Sequence, residues 1–249
     1  MATPLLSVTN LGIRFGTRVV IRNLNFQANE GDCLAVIGPN GAGKTVLLKA
    51  LLGLIPHSGE IRWRPDARLG YVPQKVTGDL QLPLRVRDLL MAKIRALKLP
   101  HQDLESVCSD VDLAPEILNA PLGTLSGGQF QKALISFALL GRPNVLLFDE
   151  PTASLDELAE ERIYELLHLL QRDKGMTILL VSHDLSVVYR YATLVMCLSK
   201  DKPCMGPLQE ILTPERLEEL YGAPARYYRH IEQHQGFREE NSDSRRPSR

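Results

Sequence analysis

Gly38-Pro39-Asn40-Gly41-Ala42-Gly43-Lys44-Thr45 is the densest run of chemistry in this 249-residue chain. Its glycines permit positive φ and close backbone approach, so successive N–H groups can wrap phosphate oxygens at a helix start, where the dipole favours anions. Lys44 adds a cation for β and γ phosphates, and the Thr45 hydroxyl is placed for Mg2+. A second run, Val145-Leu146-Leu147-Phe148-Asp149-Glu150, ends an apolar strand with two carboxylates, where ligands of parallel α/β sheets collect. Asp149 is expected to hold Mg2+, directly or through water. Glu150, pointing differently, is expected to polarise the water that attacks a γ phosphate. Each run has a plainer reading: a glycine-rich turn for the first, helix-capping acids for the second.

The elements that must position these residues follow from patterning. Cys33 to Ile37 is a continuous apolar run, the kind buried on both faces of a parallel sheet, and leads straight into the glycine loop. Thr45 to Leu54 then has helical spacing, which supplies the strand, loop and helix order that the phosphate motif requires. Upstream, Leu5 to Leu11 and Val19 to Phe26 read as an antiparallel opening sheet around Phe15-Gly16-Thr17. From Val76 to about Gly141 the character is helical, with Val86 to Leu97, Leu104 to Val111 and Gln129 to Leu140 as expected helices in an inserted lobe. Strands resume at Val145 to Phe148 and Ile178 to Ser182, with a helix over Leu158 to Gln171 between them, as in a doubly wound sheet. Beyond Leu212 the chain turns more polar, and Glu239 to Arg249 is expected to be disordered.

Composition bounds the rest. A 44% hydrophobic content supplies a substantial core, and 29 basic against 29 acidic residues give no reason to expect a nucleic-acid partner. Cys33, Cys108, Cys197 and Cys204 are scattered without a Cys-x-x-Cys pair, which favours reduced, buried thiols in a cytosolic setting. No window approaches the ~18 uninterrupted apolar residues of a membrane span, so a channel, if one is used, belongs to a separate subunit.

Leu125-Ser126-Gly127-Gly128-Gln129 is the specific feature. With the two runs above, Gln74 and His183, it makes the chain resemble ATP-binding-cassette (ABC) ATPases from about Leu5 to Leu220. The resemblance implies a P-loop NTPase core with a mostly parallel sheet, an N-terminal antiparallel β subdomain and an inserted α-helical subdomain. In those terms 5–75 and 142–220 form the nucleotide-binding core, 76–141 the helical subdomain and 221–249 a tail. ATP and Mg2+ are the implied cofactors. Residues Gly38, Pro39, Asn40, Gly41, Ala42, Gly43, Lys44 and Thr45 would contact the nucleotide, and Phe15 would stack on adenine. Ser126, Gly127, Gly128 and Gln129 would reach the γ phosphate held by a second copy, and Asp156, in Ser154-Leu155-Asp156, would link the two sites. Gln74 would sense Mg2+ and the attacking water, and His183 would contact the γ phosphate. Taken singly, Ser126 also reads as a plain helix cap and His183 as a core histidine. Lys132, where arginine is common, and the bulky Phe130 depart from the family pattern without touching the chemistry.

Two uses of such an ATPase compete: the motor of a membrane importer, or a soluble single cassette of the iron–sulfur assembly type. Gly70 to Lys75, Leu82 to Val86, Asn119 to Ser126, Leu220 to Gly222 and Tyr228 to His230 resemble zinc and manganese importer ATPases, closest to the zinc type, while iron-chelate importers share much of them. The importer reading implies an ATP-sandwich homodimer, an integral membrane permease, indirectly a substrate-binding protein, and a peripheral place on the cytoplasmic face of the inner membrane. The family meets its permease on the stretch from Val76 to Ala114, which spacing alone also reads as an amphipathic surface helix. His230 and His234 stand four apart as a possible metal pair, against the plainer reading of a solvated tail.

Overall fold

The chain's first hydrophobic alternation, Leu6, Val8, Leu11 and Ile13 pointing inward, is the buried face of β1 (Leu6–Phe15). In a computed structural model describing residues 3–74, 84–150, 155–199 and 203–221, β1 pairs antiparallel with β2 (Arg18–Ala28) across a turn at Gly16, whose φ is 57°. The motif residues Lys75 to Pro83, Ser154, and the tail with His230 and His234 lie outside the described residues. Next come β3 (Cys33–Ile37), buried throughout, and α1 (Lys44–Leu51). The exposed strand β4 (Ser58–Trp63) then joins the other edge of β1. The Trp63 indole N–H donates to the Leu51 carbonyl at 2.9 Å and ties this strand to the end of α1.

After β5 (Leu69–Val72) the chain builds the helical region: α2 (Val86–Leu97), α3 (Gln102–Asp110), α4 (Pro115–Asn119) and α5 (Gly127–Leu139). Val86, Leu90 and Ile94 recur every four residues and are buried together, which is why α2 forms on packing. It then returns through β6 (Val145–Asp149), α6 (Glu157–Lys174), β7 (Thr177–Val181), α7 (Leu185–Tyr191) and β8 (Leu194–Cys197). It finishes with β9 (Cys204–Pro207), α8 (Leu208–Ile211) and α9 (Pro214–Tyr221).

The main sheet has the order β5-β6-β7-β3-β8-β9, parallel except for β9. Alternate residues of its central strands feed opposite faces. Leu146, Phe148, Ile178 and Leu180 pack with the helical region, while Val145, Leu147, Leu179 and Val181 pack with α1 and the antiparallel sheet. Burial on both faces accounts for the unbroken apolar runs. Register matters more for the site. Val36 and Asp149 are both level with Val181, so the chain leaves β3, β6 and β7 along one edge, with Gly38, Glu150 and His183 immediately beyond.

The expected opening sheet, parallel core and helical insertion are all present. The glycine-loop helix stops at Leu51 rather than Leu54, and the helix expected from Gln129 starts at Gly127. Four strands, β4, β5, β8 and β9, carry weak signals. The first has Gly59 against the Asn10 backbone, where a Cβ would stand 2.2 Å from a carbonyl oxygen, and the last ends in Gly206-Pro207. The polar stretch after Leu212 still forms α9, anchored by the buried Leu217.

Candidate nucleotide site

Gly38, Gly41 and Gly43 adopt φ values of 148°, 79° and 102°, the left-handed half of the map that glycine enters without steric cost. At two of them the space is also taken. A Cβ on Gly38 would stand 2.3 Å from the Leu198 carbonyl oxygen, and one on Gly43 would stand 2.7 Å from the Val20 side chain. Gly43 caps α1 without a side-chain hydrogen bond, and its first turn holds no acid. The helix therefore presents free N–H groups and an uncompensated positive end, which fits a phosphate.

Lys44 is buried, and its ammonium donates to the Gly38 carbonyl at 3.0 Å and the Pro39 carbonyl at 3.4 Å. It also pairs with Glu150 Oε1 at 3.3 Å, while the Gln74 amide donates to Glu150 Oε2 at 2.8 Å. Glu150 sits at φ 40°, a conformation uncommon for a residue with a side chain, with its N–H donating to the Val181 carbonyl at 3.2 Å. Three of the expected site residues thus close on one another.

Asp149 lies beneath them, almost fully buried at the end of β6. The Thr45 hydroxyl donates to its Oδ1 at 3.0 Å and the Tyr71 hydroxyl to its Oδ2 at 3.3 Å. Burial raises the Asp149 carboxyl above the ordinary carboxylate range; the two hydroxyls oppose this and the Glu150 charge adds to it. A hydroxyl and a desolvated carboxylate, hard oxygen donors beside a phosphate loop, fit Mg2+. The raised value has a stability consequence. The folded chain holds the Asp149 proton more tightly than the unfolded chain, so this group favours folding at acid pH and loses that contribution as pH climbs through the raised folded value. Asp149→Asn is therefore expected to melt higher than the parent at neutral pH without nucleotide. A lower midpoint would contradict the desolvation account.

A cavity of about 570 Å³ opens above the loop, lined by Phe15, Asn40, Gly41, Gly43, Lys44, Thr45, Gln74 and Glu150, with Arg18, Val20 and Val46. Phe15 stands half-exposed at its side, an aromatic face available for stacking. His183 is exposed two residues past β7, which removes the core-histidine reading. Ser126 and Gly127 are exposed at the start of α5 and do not line this cavity. Gly128 instead faces Ala159 of α6, whose N-cap is the exposed Asp156; a Cβ at 128 would stand 3.3 Å from the Ala159 methyl.

Ser126 is also the N-cap of α5: its Oγ accepts from Gln129 N at 3.3 Å, and Gln129 Oε1 accepts from Ser126 N at 2.9 Å. Ser126→Ala is expected to cost about 1 kcal/mol through loss of this cap, read as a lower urea midpoint; an unchanged midpoint would remove the cap's contribution. Sequence reasoning did not single out Tyr71 or Leu198, which hold Asp149 and Gly38 in place. Tyr71 stands three residues before Gln74, and Leu198 directly follows β8.

The family model described as ABC transporter matches residues 21–153. The chain is 34% identical over 219 residues to a zinc import ATP-binding protein, ZnuC, of Jannaschia sp., covering 88% of each. It is 34% identical over 220 residues to a metal transport system ATP-binding protein of Thermotoga maritima, described as probable, covering 87% of this chain and 90% of that one. Among solved structures, an ABC transporter of metal-chelate type in an inward-facing conformation superposes with TM-score 0.81 at 30% identity, over 89% of this chain and 90% of that one. Phosphate loop, paired carboxylates, helical insertion and these likenesses over most of its length agree: the chain belongs to the ABC transporter family.

Proposed function

We propose that the chain is the ATP-hydrolysing subunit of an importer that takes up a divalent metal ion, zinc, through a separate membrane permease. The observation that carries the reading is the near-full-length likeness to zinc import ATP-binding proteins, which reaches 36% identity over 221 residues in Yersinia enterocolitica. It stands beside a site whose groups suit phosphoryl transfer. In this reading the permease is a second polypeptide and the chain sits peripherally on the cytoplasmic face; among the described residues no helix is long and apolar enough to cross a membrane. Residues 5–75 and 142–220 act as the nucleotide-binding core and 76–141 as the helical subdomain, with 221–249 as a tail.

The nucleotide's phosphates enter the cavity and take the Lys44 ammonium from Glu150. The loop N–H groups from Gly38 to Thr45 wrap the phosphates, and Phe15 stacks on the base. Thr45, Asp149 and Gln74 would hold Mg2+, which would supply charge neutralisation to the phosphates. Glu150, released from Lys44, accepts a proton from water as its oxygen attacks the γ phosphorus and the bond to ADP breaks. Gln74, already hydrogen-bonded to Glu150, aligns that water, and His183 approaches the γ phosphate from the end of β7. Ser126 and Gly127 stand exposed, and none of Ser126, Gly127, Gly128 and Gln129 lines the phosphate-loop cavity of its own chain, which supports their serving the nucleotide of a second copy, with Asp156 beside the joint. A substrate-binding protein would meet the permease rather than this chain.

Purification from detergent-solubilised membranes tests the reading: a polytopic membrane protein is expected to accompany the chain. Restoring the gene to a deletion strain is then expected to rescue growth under zinc limitation. Recovery of soluble scaffold proteins without a permease would reject the importer in favour of the iron–sulfur assembly type. Rescue by manganese or an iron chelate in place of zinc would reject the cargo.

A further inference from the structure

Cys197 and Cys204 are seven residues apart in the chain, yet β8 and β9 pair antiparallel with these two cysteines directly opposite each other. Directly opposed side chains point to the same face. Both thiols belong to one small apolar cluster with Ile211, Leu212 and Leu217. Opposed Cα atoms of an antiparallel pair lie ~4.5–5.5 Å apart, inside the ~4.4–6.8 Å that a disulfide spans. Side-chain rotation alone can bring the sulfurs together. A cavity of about 440 Å³ reaches them, lined also by Ser199, Arg216 and Glu219. Cys197 is buried and Cys204 half-buried, so a small reagent meets Cys204 first. Burial pushes the Cys197 thiol up, as does its neighbour Cys204, while the Arg216 charge opposes them.

This pair adjoins the phosphate loop. Cys197 is in parallel register with Ile37, the last residue before the loop, and the Leu198 N–H donates to the Ile37 carbonyl at 2.8 Å. The Leu198 carbonyl fills the space where Gly38 would carry a side chain, and its Cδ2 stands 3.8 Å from the corresponding point on Gly43. A shift at position 197 therefore reaches both ends of the loop through one residue.

We propose that Cys197 and Cys204 are a redox-responsive thiol pair that low-molecular-weight disulfides close into a protein disulfide, and that closure weakens nucleotide binding through Leu198. The Cys204 thiolate attacks one sulfur of the small disulfide RSSR, giving a Cys204–S–S–R bond and expelling RS⁻, which takes up a proton. Cys197 then releases its proton to solvent and attacks the Cys204 sulfur, expelling the second RS⁻, which is protonated in turn. Two protein thiols are oxidised, one small disulfide is reduced to two thiols, and no other oxidant is needed.

The test uses the full-length protein incubated with oxidised glutathione, followed by thiol counting, peptide mapping and titration with a fluorescent ATP analogue. Free thiols are expected to fall from four to two, with the Cys197 and Cys204 peptides linked. Nucleotide affinity is expected to fall about tenfold and to return on reduction with dithiothreitol. Cys204→Ser is expected to bind nucleotide like the reduced parent before and after treatment. A stable glutathione adduct on Cys204 without a bridge, four unchanged thiols, or a bridge with unaltered affinity would each overturn the proposal. None of these readouts depends on which cargo the importer carries.

Discussion

Glu150→Gln is expected to cut ATP turnover by about two to four orders of magnitude, the range ascribed to a positioned general base, while making ATP bind more tightly. The first effect follows from removing the carboxylate that accepts the water proton. The second follows from the ion pair between Lys44 and Glu150. Glu150 and the incoming phosphate compete for the Lys44 ammonium, which stands 3.3 Å from Glu150 Oε1. A neutral amide competes less well, so affinity should rise by roughly tenfold, about 1.4 kcal/mol, the scale of one charge-assisted hydrogen bond. Tighter binding with stalled chemistry should also accumulate an ATP-bound two-copy form on size-exclusion chromatography. Undiminished turnover would reject the role given to Glu150, and weaker binding would reject the competition.

Lys44→Ala is expected to lower ATP affinity by about a hundredfold or more, since truncating one partner of a desolvated charged contact costs ~2–5 kcal/mol. The fold should survive. Lys44 begins α1, alanine is the best helix former, and Glu150 keeps its hydrogen bond from the Gln74 amide. Isothermal titration with ATP, run beside a circular-dichroism melt, separates the two readings: lost binding with a preserved melt supports the assignment. Retained binding would place the phosphates elsewhere.

Much of this site is legible in the sequence because its chemistry is local along the chain. The loop from Gly38 to Thr45 carries its own strand and helix, and Asp149 and Glu150 follow a run that can only be a buried strand. The opening sheet and α2 were equally readable, from partial alternation in the first and a four-residue repeat of apolar positions in the second. What stayed hidden depends on contacts between distant segments. Nothing in the sequence puts Tyr71 against Asp149, because that contact is made by parallel pairing of β5 with β6. The Lys44–Glu150 pair joins two distant segments through the fold, although each partner was expected alone. Cys197 and Cys204 read as scattered thiols because the strand that carries Cys204 opposite Cys197, Cys204-Met205-Gly206-Pro207, has no β-branched residue to announce it.

The bond from Trp63 to Leu51 gives the chain an optical property. Its indole is the sole tryptophan in the sequence and is fastened to the far end of the helix whose near end cradles phosphate. Intrinsic emission on excitation near the red edge of protein absorbance therefore comes from one place, half-shielded and one helix length from the nucleotide. Any tilt of that helix on ligand entry changes the polarity around the ring, and the unlabelled protein becomes its own fluorescent gauge.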